Sequence, residues 1–158
     1  MALHPIPQDL VEFVESGVAI LVGTRDAALR PDAVRAWGVS VHPGRARATV
    51  FLGRDTAARA SANAQENGAI AVCLSRPVDN FTLQLKGRAV EVRPATDADR
   101  AVVDRYAASY FEQLFMVGVT RGLTRRIRVW PATAVTFDIT DIFVQTPGPG
   151  AGKRLEAR

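Results

Sequence analysis

The chain has 158 residues, of which 47% are apolar and 23% are charged. This length and balance suit one globular domain and exclude wholesale disorder. No apolar run approaches the ~20 residues that cross a bilayer, and the N-terminus lacks a basic start followed by an apolar stretch. We therefore expect a cytoplasmic protein with no membrane partner.

Cysteine and histidine are scarce, which limits the chemistry of the side chains. The chain holds one cysteine, Cys73, and two histidines, His4 and His42. One cysteine cannot form an intramolecular disulfide, and these three residues do not make a zinc site or a Cys/His hydrolase. Cys73 lies in an apolar segment and is interpreted as a small core residue. No metal is expected.

The basic residues are almost all arginine. The net charge is +4, and Lys86 and Lys153 are the only lysines among 20 basic residues. Arginine matches phosphate and carboxylate geometry, but a GC-rich genome also favours arginine codons and explains most of the excess. Only the positions of the arginines can therefore indicate an anion site.

The first third of the chain predicts a short helix, a strand and a hairpin. Residues 7–16 are amphipathic, and the β-branched run at 18–24 is typical of a strand buried on both faces. A turn is expected at 30–32. The strand at 37–42, where Trp37, Val39 and Val41 alternate with small residues, pairs with 48–52 through a tight reversal at 42–45.

The middle of the chain predicts a helix and two strands. Residues 55–67 are alanine-rich, with Asp55 as the N-cap and Gly68 as the C-cap. Strands follow at 69–75 and 81–93. In the second strand the apolar positions change parity after Gly87, from Leu83 and Leu85 to Val90 and Val92. This change predicts a β-bulge or bend near Gly87, of the kind that closes small barrels.

The last third predicts a long helix, two strands and a tail. The helix begins at 96–99 and carries apolar residues at helical spacing through Leu114. Strands are expected at 127–130 and 134–143, with a break at 138–141. Residues 145–158 are rich in proline and glycine and are expected to form a flexible tail without core residues. The fold class is α+β: a closed or half-closed antiparallel barrel of six to seven strands, in a single domain at 1–144.

One segment carries a candidate anion site. Arg54, Thr56 and Arg59 follow a strand and surround the predicted start of a helix, whose free N–H groups favour negative charge. A hydroxyl and two guanidinium groups add charge-assisted hydrogen bonds. Asp55 opposes this, since a capping carboxylate uses the same amides.

The order of elements resembles one known family. The buried first strand, the strand–turn–strand–helix segment at 35–67 and the strand 83–92, with its Gly87-Arg88-Ala89 pattern, resemble the pyridoxamine 5′-phosphate oxidase-like FMN-binding split barrels. The resemblance spans residues 8–144. It implies an antiparallel split β-barrel that binds FMN at a homodimer interface. It also implies a flavin-dependent oxidoreductase acting on an unidentified small molecule.

The resemblance also implies a set of cofactor-binding residues. Arg35 is similar to an arginine of the family's second strand, and Thr56 to a hydroxyl residue at the helix start. The full set comprises Arg35, Trp37, Gly38, Val39, Ser40, Arg54, Thr56, Arg59, Gln84 and Lys86. Within it, residues 37–40 fall where the backbone passes the flavin ring. Gln84 and Lys86 are candidates on chemical grounds, because a cationic group near the N1/C2=O side stabilises the reduced, anionic ring. No catalytic residue is assigned.

Departures from the family pattern argue against the oxidase proper. Ser40 stands where the oxidase has a phosphate-binding lysine, and Ala57 and Ala58 stand where it has arginine and lysine. The tryptophan and Arg-x-His elements that bind the pyridoxal substrate are not found near the C-terminus.

Two other functions remain open. The barrel could be a non-catalytic ligand-binding or sensing module for haem, another flavin such as a deazaflavin, or a nucleotide, or it could hold no cofactor. The arginine cluster between Arg121 and Arg128, beside Trp130, could contact nucleic acid, which is the less favoured hypothesis. It could also form the dimer-facing side of the anion pocket.

Overall fold

The structure is a computed structural model that describes residues 2–156. A short 3-10 turn, Gln8–Leu10, leads into helix α1, and six strands and three further helices follow. Their bounds are α1 Val11–Glu15, β1 Ala19–Arg25, β2 Pro31–Val41, β3 Arg47–Gly53, α2 Ala58–Asn67, β4 Ala69–Ser75, β5 Thr82–Pro94, α3 Asp97–Met116, α4 Arg121–Thr124 and β6 Ala132–Val144. None of the helices in this described range is long and apolar enough to cross a membrane.

The six strands close into an antiparallel barrel in the order β1-β2-β3-β6-β5-β4. The predicted α+β barrel is therefore confirmed, with six strands and full closure. Closure leaves no long free sheet edge, which is the usual solution for an all-antiparallel sheet of this size. Inward-facing aliphatic side chains of every strand fill the interior, and Val22, Val50 and Leu85 are among the fully buried ones.

The first strand is buried on one face only. Ile20 and Val22 point into the barrel, whereas Leu21 between them is 48% exposed, so the prediction of a strand buried on both faces is wrong. The predicted turn also lies earlier in the chain. Asp26 accepts hydrogen bonds from the backbone and side chain of Arg30, and Pro31 is already the first residue of β2.

A β-bulge interrupts β2 at Trp37 and Gly38. Ala36 pairs with Leu52 and Val39 with Val50, so two residues of β2 face the single residue Phe51 of β3. A bulge turns the strand and re-aims a side chain. Trp37 therefore leaves the alternation that the sequence suggested, whereas Val39 stays in the core and Val41 packs against it.

Two further bulges confirm the predicted irregularity near Gly87. Lys86 pairs with Asp141 and Gly87 with Ile139, so Thr140 of β6 is an extra residue; on β5 the extra residue is Val90. Val90 is 49% exposed and does not join the apolar face, while Val92 does. The change in which alternate positions are apolar thus indicates an inserted residue in β5.

Two predicted elements differ from the structure: the start of helix α2 and the strand at 127–130. Helix α2 begins after Ala57, because the amide of Thr56 bonds to the carbonyl of Gly53 in a turn; Asp55 is not its cap. Gly68 ends the helix in a left-handed conformation, as predicted. The predicted strand at 127–130 is wrong: this stretch has no strand pairing and connects α4 to β6.

Helix α3 lies across the outside of β2 and holds its position through a capping box and one buried hydrogen bond. Thr96 and Asp99 form the box at its start. The hydroxyl of Tyr106 donates to the carbonyl of Val18 at 2.6 Å, and burial raises the pKa of this tyrosine, so it stays neutral. Beneath α3, a second small apolar cluster forms around Phe51 and Val103 on the barrel's outer surface.

The described part of the predicted tail, residues 145–156, folds back onto β6. The amide of Val144 donates to the carbonyl of Lys153, and the amide of Leu155 donates to the carbonyl of Ile142. Leu155 packs against the main core and its carbonyl accepts from the His4 ring at 2.9 Å. The expectation that this segment lacks core-forming residues is therefore corrected; residues 157 and 158 lie outside the described range.

Candidate functional site

The site that brings several of the predicted ligands together is a pocket of about 460 Å³ on the outer surface of the barrel. Three segments form it: the first half of β2, the loop from β3 to α2, and the stretch that leads into β6. Its lining comprises Ala33, Val34, Arg35, Trp37, Gly53, Arg54, Asp55, Thr56, Arg128, Trp130 and Pro131. Other pockets lie elsewhere on the surface, among them one beside the C-terminal segment and a larger one of about 550 Å³ beside α1.

Three arginines of the pocket have no ion-pair partner among residues 2–156. They are Arg35, Arg54 and Arg128, whereas Arg59, in the first turn of α2 and outside the lining, pairs with Asp32 at 3.4 Å. Asp55 is the one carboxylate in the lining. Converging guanidinium groups without counter-charges form a site for an anion, and a phosphate suits their forked geometry.

Two indole rings provide the apolar part of the pocket. Trp37 is aimed by the β2 bulge, and Trp130 precedes β6; both are half-buried against the cluster around Phe51. Gly53 sits between them and the loop. A Cβ at this position would lie 3.3 Å from both the Trp37 indole nitrogen and the Thr56 hydroxyl, so glycine keeps this part of the pocket open.

Arg35 is held by aromatic rings. Its guanidinium carbon lies 5.3 Å from the ring centre of Trp37 and 5.0 Å from that of Tyr110 on α3. Both distances are within the range of cation–π attraction. This placement fixes the side chain at the pocket wall without neutralising its charge.

The predicted site residues divide into three groups. Arg35, Trp37, Arg54 and Thr56 come together in the pocket. Gly38, Val39, Ser40 and Arg59 do not line it. Gly38 is covered by α3, where an added Cβ would lie 3.6 Å from the Val103 Cα, and Val39 is only 3% exposed in the barrel core.

Gln84 and Lys86 form the third group, on β5. Strand pairing places Arg35, Leu21, Cys73 and Gln84 in one row across neighbouring strands, and Ala33, Gly23, Ala71 and Lys86 in the next. Three strand spacings, about 14 Å along the sheet, separate Arg35 from Gln84. The two groups thus share one outer sheet face but do not meet within a single chain.

Sequence reasoning missed two pocket residues as ligands, Arg128 and Trp130. They were visible only as members of an arginine cluster beside an aromatic residue, one interpretation of which was the side of an anion pocket. Their stretch was assigned to a strand, in which residues two positions apart share one face, so the strand assignment itself did not separate the two side chains. The structure places both in the pocket lining from an irregular connection.

The histidines and the cysteine are engaged elsewhere. The His4 ring bonds to backbone carbonyls, and the His42 ring bonds to the Thr49 hydroxyl at 2.8 Å. Cys73 is half-buried on the outer face of β4, so its interpretation as a core residue is corrected. Burial raises the pKa of its thiol, which therefore stays protonated near neutral pH.

The chain is similar to known proteins in its three-dimensional structure but has no match by sequence. No family model matches the chain, and no curated protein matches it. Among solved structures, HupZ of Group A Streptococcus is 16% identical with a TM-score of 0.58, over 93% of this chain and 99% of that one. An F420 reductase is 13% identical, with a TM-score of 0.57 over 87% of this chain and 98% of that one. A protein assigned as a pyridoxamine 5′-phosphate oxidase, from Lactobacillus delbrueckii, is 14% identical, with a TM-score of 0.55 over 89% and 94%.

The chain has the split-barrel fold of these proteins. The resemblance drawn from residues 8–144 is thereby confirmed at the level of the fold, because the matches extend over nearly the whole length of both chains. Within this split barrel the pocket lies where β2, β3 and the start of β6 run side by side.

Proposed function

We propose that this split barrel binds a phosphorylated flavin-type cofactor in the pocket of Arg35, Arg54 and Arg128. The observation that carries the proposal is the convergence of three unpaired arginines with two indoles in one pocket. A phosphate and an aromatic ring on one ligand require this combination. The volume of about 460 Å³ is within the range of ~300–1,000 Å³ typical of small-molecule sites.

Each part of the pocket has a role toward such a ligand. The guanidinium groups bind the phosphate, and the Thr56 hydroxyl, which now donates to the Gly53 carbonyl at 3.2 Å, adds a further hydrogen bond. Trp37 and Trp130 shield the ring from water. When bound, the flavin supplies hydride or electron transfer, so we propose an oxidoreductase that acts on an unidentified small molecule.

The outer face of β1 and β4 supports a homodimer that completes this site. Between the pocket and the Gln84–Lys86 pair this face is small and apolar: Leu21, Gly23, Ala71 and Cys73. A two-fold axis between Arg35 and Gln84 would exchange the two ends of each row. The Gln84 and Lys86 of one copy would then approach the Arg35 of the other, which brings these two predicted ligands to the pocket from which one chain keeps them apart.

The test compares two neighbouring arginines that the sequence did not distinguish. Titration of purified protein with FMN is followed by quenching of the flavin fluorescence. A hydrogen bond to a charged group contributes about 1.5–3 kcal/mol, so Arg54→Ala should raise the Kd for FMN roughly tenfold or more. Arg59→Ala should change it less than about twofold, since Arg59 is paired with Asp32 outside the pocket.

Riboflavin, which lacks the phosphate, is the ligand control. The Arg54→Ala change should leave riboflavin affinity nearly unaltered and so reduce the preference for FMN. Parallel titrations with F420 and haem distinguish the alternative ligands. The proposal fails if neither FMN nor F420 binds, or if both arginine variants bind FMN as the original chain does. A Soret band with haem, in the absence of flavin binding, would establish the alternative ligand.

A further inference from the structure

The end of α3 and the helix that follows it expose a group of apolar side chains. Phe115, Met116, Val117 and Leu123, here called the α3–α4 tip, are 48%, 64%, 48% and 59% exposed. Consecutive residues of a helix point about 100° apart. Exposure of three in a row therefore means that this end of α3 projects from the molecule instead of lining a groove.

Positive charge surrounds the tip. Arg121, Arg125 and Arg126 lie on or directly after α4, and the guanidinium of Arg121 stacks over the Phe115 ring at 4.3 Å. Glu112 on α3 pairs with Arg121. Arg125 and Arg126 are exposed and have no carboxylate within 4.0 Å in the part of the chain that the structure describes. The sequence has no acidic residue between Glu112 and Asp138.

We propose that the α3–α4 tip docks on an anionic phospholipid surface. Apolar side chains at a projecting helix end, with arginines around them, match the hydrocarbon–headgroup boundary of such a surface. A second copy docking tip to tip would bring like charges together, and the homodimer proposed above uses the face of β1 and β4. Nucleic acid would use the arginines but not Met116, Val117 or Leu123. The contact is peripheral and needs no spanning segment.

The experiment measures sedimentation of the full chain with vesicles of phosphatidylcholine, with and without phosphatidylserine. Binding is expected only with phosphatidylserine and should weaken as salt is added. Each arginine near an anionic surface contributes about a fivefold change in partitioning, so Arg125→Gln with Arg126→Gln should lower it roughly 25-fold. Arg105→Gln, an exposed and unpaired arginine earlier on α3, is the matched control and should lower it far less.

The apolar contribution is tested separately. Phe115→Ser with Leu123→Ser should abolish sedimentation, while Leu29→Ser, at a residue 69% exposed in the β1–β2 turn, should leave it unchanged. Each variant's thermal unfolding curve confirms that it is folded. Equal sedimentation with both vesicle types, or none with either, overturns the proposal. Concentration-dependent self-association that the double serine variant loses would identify a second copy as the occupant. Oligonucleotide binding that only the glutamine variant loses would identify nucleic acid.

Discussion

Single residues at irregular positions of the barrel decide where the pocket lies. The bulge at Trp37 and Gly38 turns one indole out of the strand alternation, and α3 then covers the glycine at its Val103 and Tyr106. Gly53 leaves room for that indole beside the Thr56 hydroxyl. The pocket therefore depends on two glycines that carry no ligand atoms themselves, and a search for polar side chains alone would pass over both.

A substitution at Gly87 tests how strongly the fold depends on a glycine where two backbone segments lie close together. A Cβ at Gly87 would overlap the carbonyl oxygen of Asp138 on β6 and lie 3.0 Å from the Phe137 ring. Overpacking of this kind costs about 1–3 kcal/mol, so Gly87→Ala should lower the free energy of unfolding by at least that amount. Urea denaturation measures the change.

Gly122 is the matched control for Gly87. It lies in α4, has nothing within 4 Å of an added Cβ, and has no left-handed backbone to preserve. Gly122→Ala should be neutral or stabilise the protein by up to about 1 kcal/mol, because alanine favours a helix. Equal losses of stability in the two variants would show that close approach at Gly87 is not the cause.

At the level of elements, the strength of the local pattern determined what could be predicted. The parity change between Leu85 and Val92 correctly indicated a bulge, because a strand cannot change faces without an inserted residue. Asp55 failed as a cap because a turn that begins at Gly53 uses the residues in front of α2. Nothing local in residues 127–130 distinguishes an irregular connection from a strand, since only the pairing of β6 with β3 and β5 excludes a further strand there.

The start of α3 has a pH dependence that can be measured. Asp99 accepts from the Arg93 guanidinium at 2.6 Å and from the Thr96 amide at 2.8 Å. The Arg93 hydrogen bonds, with those from Thr96, lower the pKa of Asp99 to about 2. Its carboxyl is 16% exposed. Because the folded pKa lies below the unfolded value of about 3.9, the contribution is complete above pH ~5 and is lost as the pH falls toward 2.

Asp99→Asn should therefore reduce the free energy of unfolding at pH 7 by about 1–2 kcal/mol. This is less than the stability that the whole pKa shift corresponds to, because the ion pair is partly solvated. The difference from the original chain should disappear near pH 2. Urea unfolding at several pH values measures both. Asp97→Asn is the control, since Asp97 lies in the same first turn without the Arg93 contact. A difference that persists at pH 2 would contradict the electrostatic cause.

For the whole molecule, the arginines divide into those with a close carboxylate and those that line the pocket without one. Many arginines have a close carboxylate: Arg47 pairs with Asp138 across neighbouring strands, and Arg76 pairs with Asp79 within a single turn. Arg35, Arg54 and Arg128 line one pocket and have no carboxylate partner within residues 2–156. The predicted ligands Gln84 and Lys86 lie three strands away on the same outer face. Composition alone could not show this, because it depends on how a closed barrel brings distant strands into one row.

The proposed homodimer predicts that one substitution changes both assembly and ligand binding. Leu21 lies in the middle of the row from Arg35 to Gln84 and is 48% exposed. Leu21→Arg should place two like charges near the two-fold axis and give a monomer by sedimentation equilibrium. Leu29→Arg, which adds the same charge at a residue in the β1–β2 turn, should remain dimeric.

The same two variants determine whether the partner completes the flavin site. If the partner's Gln84 and Lys86 reach the pocket, the Leu21→Arg monomer should bind FMN at least about tenfold more weakly, equivalent to the loss of one charged hydrogen bond. The Leu29→Arg dimer should bind as the original chain does. A monomer that retains full FMN affinity would leave the pocket of Arg35, Arg54 and Arg128 intact as a flavin site. It would also show that this pocket is complete within one chain, because the partner's side chains would then contribute nothing to the binding energy.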